Sequence, residues 1–173
     1  MKDGPVRGSL AGVTPIASLD ELSPGMRFDL SGFVLSREEV LDFARRYDPQ
    51  PFHLDDDAAR ASMFGRLVAS GLHTYAAAFG HLIRSGLLSR VNLGAGGAEI
   101  SWPAPLPPDE PVTMEVIVEE VRPSRSKPDM GIAKLRYVVR KVSDGAVVLT
   151  VVAPHFLRRA PSPDADACPP HGL

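Results

Sequence analysis

Cysteine is almost missing from this chain. Among 173 residues there is one, Cys168, so no internal disulfide can form and no cysteine cluster can hold a metal. Cys168 also lies in a polar, proline-interrupted stretch from Pro161 to Leu173 that reads as a disordered tail with an inert thiol, as a reducing compartment would allow. An excess of charge of one sign is lacking too. With 19 Lys and Arg against 21 Asp and Glu, the formal net charge of -2 excludes broad attraction to nucleic acid or to an anionic membrane, so any polyanionic ligand must be met by local cations. Nothing approaches the roughly 20 consecutive apolar residues that cross a bilayer, and no basic start followed by an apolar stretch and a cleavage site opens the chain. A soluble, unexported, cytoplasmic protein is the expectation.

What is present is enough for one core. Hydrophobic residues make up 44% of the chain, and its length falls in the range of a single domain. Residues 1–18, with glycine and proline scattered through them, read as a flexible arm; 19–159 read as the domain and 160–173 as the tail. Ser23-Pro24-Gly25 is a turn signal, and Met26 to Leu35 alternates as a short strand. Ser36 and Glu39 form a capping-box pattern, after which Val40, Phe43, Ala44 and Tyr47 recur at helical spacing until Pro49 and Pro51 end the helix. Asp48 to Asp55 is then a stiff loop, followed by a short helical turn over 57–61. The alanine-rich stretch from Ala69 to about Leu88 is apolar on most sides and predicts a buried central helix. Beyond the glycine-rich connection Gly94 to Gly97, strands are predicted over 98–102, 112–121, 131–142 and 146–157. The fold class is α+β, an antiparallel sheet wrapped on a long helix.

Asp48 and His53 stand out. Two prolines between them remove backbone freedom and can hold a carboxylate and an imidazole at one cavity, the pairing that acid–base work on a water molecule requires. The same two residues also admit a structural role, with Asp48 capping the turn and His53 packed and hydrogen-bonded. Other titratable residues carry less. His73 and His81 have no third ligand and predict no metal site; His155 reads as sheet packing; Asp55, Asp56 and Asp57 read as capping and helix-dipole partners.

The run Phe43-Ala44-Arg45-Arg46-Tyr47-Asp48-Pro49-Gln50-Pro51-Phe52-His53-Leu54-Asp55, with Phe64-Gly65, Leu67-Val68 and Ser70-Gly71-Leu72 after it, resembles the signature of MaoC-like dehydratases and (R)-specific enoyl-CoA hydratases. The likeness extends through Gly97 to Leu106, which resembles the family's strand ending in an aromatic and a proline, and through Ser124 to Gly131, which resembles its Ser-rich hairpin turn. The resemblance implies a hotdog fold, a homodimer or higher homo-oligomer, an acyl-CoA or acyl-carrier thioester as substrate, and reversible hydration of its 2,3 double bond. It implies no resident cofactor, the CoA being carried by the substrate. Asp48 and His53 match the catalytic pair, and Gly71 matches the glycine whose backbone N–H receives the thioester oxygen, although a close-packing glycine reads the same way. Gln50, Ser70, Leu72, Phe64 and Trp102 are the expected substrate-binding residues around them. Arg125 and Lys127 in the hairpin turn are candidates for the CoA phosphates, as are Arg84, Arg90 and Arg122, or else are solvated charges.

Three positions depart from that pattern. Gln50 stands where Asn is usual, Ser70 where His often precedes the glycine, and Phe79 where some members carry a serine. These departures put substrate choice in doubt and keep open a non-catalytic acyl-thioester-binding subunit; the implied fold also keeps open a hotdog thioesterase, in which water attacks the thioester carbon, although the Asp48–His53 loop resembles the hydratase signature instead.

Overall fold

The structure, a computed structural model, describes residues 13–160. Most of the expected arm, and all of the expected tail beyond Ala160, with Cys168, lie outside the described residues. The elements in chain order are β1 (Arg27–Phe33), α1 (Arg37–Tyr47), α2 (Asp56–Arg60), α3 (Gly71–Arg84), β2 (Asn92–Ala95), β3 (Glu99–Ser101), β4 (Val112–Pro123), β5 (Met130–Lys141) and β6 (Val147–Arg158). They form one antiparallel sheet in the order β1-β4-β5-β6-β2, with β3 also paired to β6.

The long strands follow from period-two patterning. β4 turns Val112, Met114, Val116 and Val118 inward, and register sets Val116 beside Tyr137 of β5 and Tyr137 beside Val151 of β6, all fully buried. The outer face carries charge instead, where Glu119 pairs with Arg136 and with Lys134 at 3.7 Å, and Arg27 meets Glu115 at 2.7 Å. α3 lies on the inner face and puts Ala78 and Leu82 into the core. Ser70 caps its start, and Gly86, at φ +78°, takes the left-handed turn that follows its end. An antiparallel sheet packed on one central helix is the hotdog arrangement that the resemblance implies.

Several expectations need correction. α3 is shorter than predicted and is not buried on most sides: Leu72 and Ile83 are 49% and 44% exposed, and Ala76 is exposed with them. The sheet of a single chain covers only one face of this helix. β2 was not predicted at all. Its residues Asn92-Leu93-Gly94-Ala95 have no alternation to read, and they join the sheet through backbone pairing of Asn92 with Leu157 and Ala95 with His155. Packing also begins before Leu19, since Ile16 is buried and its N–H donates to the Leu87 carbonyl at 3.0 Å. Among the described residues no helix is long and apolar enough to cross a membrane.

Candidate active site

Local sequence places the first half of the site. α1 begins at the Ser36–Glu39 capping box, whose two reciprocal hydrogen bonds are both present, and ends at Asp48, whose own N–H donates to the Ala44 carbonyl. Pro51 then occupies the first position of a single 3-10 turn, Pro51–His53, so the expected stiff loop closes on itself, with the His53 N–H donating to the Gln50 carbonyl at 2.9 Å. That turn sets the His53 ring back towards Asp48. His53 Nε2 lies 3.4 Å from Asp48 Oδ2, and the two side chains are 6% and 18% exposed, which shields the pair from bulk water.

Each partner is further fixed. His53 Nδ1 lies 2.7 Å from the Val68 carbonyl oxygen. A carbonyl only accepts, so Nδ1 carries the proton and Nε2 of the neutral ring holds a lone pair. Asp48 accepts two hydrogen bonds, from the Ser70 hydroxyl at 2.6 Å on Oδ2 and from the Gln50 amide at 2.9 Å on Oδ1. Burial alone would raise the Asp48 pKa, but these two bonds and the nearby His53 outweigh it and hold the carboxyl below its ordinary value.

The pair opens on a cavity of about 590 Å³. Gln50, Phe64, Gly71, Leu72 and Trp102 line it together with Asp48 and His53, while Ser70 stands behind Asp48. Gly71 is the first residue of α3, where a helix leaves its N–H groups without intrahelical partners and presents the positive end of its dipole. The Trp102 indole lies against it. Trp102 Nε1 donates to the Gly71 carbonyl at 2.9 Å, and a Cβ built on Gly71 would stand 2.8 Å from the indole ring. The requirement for glycine at this position is thus a close approach by an aromatic ring.

The hairpin cations are not part of this cavity within one chain. Arg125 and Lys127 sit between β4 and β5, whereas the cavity reaches β6 at Val148, next to Leu149, which pairs with Val139; from Val139 to Met130 the strand runs on the order of 30 Å. Phe79 also lies elsewhere, its ring 6.5 Å from that of His155 beneath α3. Asp55 caps α2 through the Ala58 N–H, Asp56 pairs with Arg37, and Asp57 with Arg60. His73 stacks on Phe43 at 4.5 Å, His81 meets the Ser31 carbonyl, and His155 meets the Tyr137 hydroxyl.

Sequence reasoning missed several lining residues, among them Thr74, Leu106 and Val148, and missed the Val68 carbonyl that orients His53. These come together only in three dimensions. Met63 was also missed, 92% exposed at the cavity rim; a lone exposed apolar residue in the loop after α2 carries no periodic signal.

The family model for the MaoC like domain matches residues 21–139. A crystal structure of a MaoC-like dehydratase from Rhodospirillum rubrum is 37% identical and superposes with a TM-score of 0.78, covering 84% of this chain and 99% of that one. The (R)-hydratase from A. caviae is 26% identical with a TM-score of 0.61, over 81% of this chain and 98% of its own. YdeM, an uncharacterized protein of Bacillus subtilis (strain 168), is 28% identical over 110 residues, which are 63% of this chain and 78% of that protein. With the family model spanning most of the chain and a solved MaoC-like dehydratase matched along nearly its whole length, the chain belongs to the MaoC-like hydratase and dehydratase family.

Proposed function

We propose that this chain adds water reversibly across the 2,3 double bond of a 2-enoyl-CoA thioester, giving a 3-hydroxyacyl-CoA. The observation that carries the reading is the Asp48 Oδ2 to His53 Nε2 approach of 3.4 Å on the wall of a cavity that Gly71, the first residue of α3, also lines. The A. caviae relative, matched at 26% identity, is described as an (R)-hydratase, which supports the same reaction type. The thioester oxygen is placed at the Gly71 N–H, where developing enolate charge meets a helix N-terminus, and Asp48 and His53 hold the water against C3. Water and thioester supply every atom of the reaction, so the reading invokes no cofactor. Leu72, Phe64 and Trp102 are the walls against which the acyl chain packs.

The protein is proposed to work as a homodimer. Among the described residues β3 pairs with β6 alone and is followed by Trp102, and Leu72, Ile83 and Trp102 are exposed large apolar side chains that no described element covers. Arg125 and Lys127 can reach a substrate in this cavity only if a second protomer carries them there.

Loss of the conjugated enoyl absorbance with crotonyl-CoA and longer enoyl-CoAs tests the reading. Asp48→Asn and His53→Ala are each expected to lower kcat/KM by about 10²–10⁴-fold. Wild-type activity in either variant would refute the assignment, and thiol release with the double bond intact would move the protein to thioester hydrolysis.

A further inference from the structure

Two of the three positions at which this chain departs from the pattern it resembles meet on one side chain. Gln50 donates to Asp48 Oδ1 at 2.9 Å, and Ser70 donates to Asp48 Oδ2 at 2.6 Å. Ser70 is 1% exposed and also accepts the Leu72 N–H at 3.2 Å as the cap of α3, so its hydroxyl has no freedom to turn away. Both carboxylate oxygens are therefore engaged by neutral donors. On the other side, the Val68 carbonyl holds the proton on His53 Nδ1 and leaves the Nε2 lone pair facing the cavity beside Asp48 Oδ2.

We propose that Ser70 and Gln50 are positioning residues that clamp Asp48 as a fixed carboxylate, so that His53 Nε2 is the atom that takes the proton from water. The inference rests on the hydratase reading of this site. The water oxygen bonds to C3 and its proton passes to Nε2; the double-bond electrons move into the thioester enolate; Nε2–H then returns the proton to C2. Asp48 stays ionised throughout and stabilises the imidazolium formed next to it. A carboxylate that already accepts two hydrogen bonds is a poor competitor for that proton. Among the described residues, His53 is the titratable group set against Asp48; His73, also in the first turn of α3, faces Phe43 of α1 instead.

The test compares wild type, Ser70→Ala, Ser70→Thr and Gln50→Ala in the full chain. In kinetics with crotonyl-CoA, Ser70→Ala and Gln50→Ala are expected to lower kcat on the order of tenfold to a hundredfold, with KM nearly unchanged, and Ser70→Thr is expected to restore most of the loss. The acid limb of the kcat/KM profile keeps its position in both alanine variants. If Asp48 were the base, losing a donor would make it more basic, and the limb would move to higher pH while kcat held; that result would overturn the proposal. NMR without substrate decides it independently. Nitrogen shifts of His53 should report the Nδ1–H tautomer, and the Asp48 carboxyl should titrate at higher pH in Ser70→Ala and in Gln50→Ala than in wild type. An Nε2–H tautomer, or an Asp48 titration that ignores both substitutions, overturns the clamp. An inactive wild type that shows the expected tautomer and titration shifts would count against the hydratase reading and not against the clamp.

Discussion

Gly71 has no side chain because the Trp102 indole already fills the space where one would go, at 2.8 Å from the Cβ position. Indole and backbone are tied again by the Nε1 hydrogen bond to the Gly71 carbonyl. Gly71→Ala must therefore push the ring off the start of α3 and disturb the cavity wall. It is expected to destabilise the fold by about 1–3 kcal/mol and to lower kcat/KM, with thermal unfolding and the enoyl assay as the two readouts. A residue remote from the cavity makes a pH prediction. Burial lowers the His155 pKa to about 4, against 6.5 for a free imidazole, while its partner, the Tyr137 hydroxyl, is buried with it. Because the unfolded chain binds the proton more readily, the stability that neutral His155 contributes is present above pH 6.5 and is lost as pH falls from 6.5 towards 4, by at most about 3 kcal/mol. Replacing it by Gln should flatten the fall of unfolding free energy across that window; an unchanged slope would contradict the account.

At the scale of elements, local rules suffice wherever the information is local. The capping box at Ser36 and Glu39 starts α1 as the pattern demands, and both of its hydrogen bonds form. Ser36→Ala should cost about 1 kcal/mol in urea unfolding and leave kcat with enoyl-CoA unchanged, since the helix end that bears Asp48 is three turns away. β4, β5 and β6 are legible from their Val- and Ile-rich runs between turns, and the Asp48–His53 pair is legible because two prolines hold its members within six residues. Where the stabilising partner is distant in sequence, legibility ended. β2 exists only through its pairing with β6, and the Ser70 bond to Asp48 crosses 22 residues and the Trp102 bond to Gly71 crosses 31. The sequence marks Ser70, Gln50 and Trp102 as binding candidates but does not show which atoms they hold. Arg125 and Lys127, the candidates for the CoA phosphates, lie in the turn between β4 and β5 and do not line the cavity of a single chain, which the sequence does not reveal.

At the scale of the whole molecule, a single chain leaves its central helix half dressed. Leu72 and Ile83 on α3 and Trp102 after β3 are large apolar side chains between 44% and 49% exposed, and among the described residues β3 pairs on one side only, with β6. A second copy of the chain, joined edge to edge, would cover both features at once. Light scattering should therefore give twice the chain mass of 18.6 kDa, and Ile83→Asp should shift the population towards monomer. A monomer at micromolar concentration would contradict this assembly. The chemistry assigned to the cavity stands or falls on one comparison, the disappearance of enoyl absorbance from 2-enoyl-CoA in wild type against His53→Ala. The account predicts turnover by wild type and a loss of about 10²–10⁴-fold in the variant. Equal rates in the two proteins, or thioester cleavage with the double bond untouched, would contradict it.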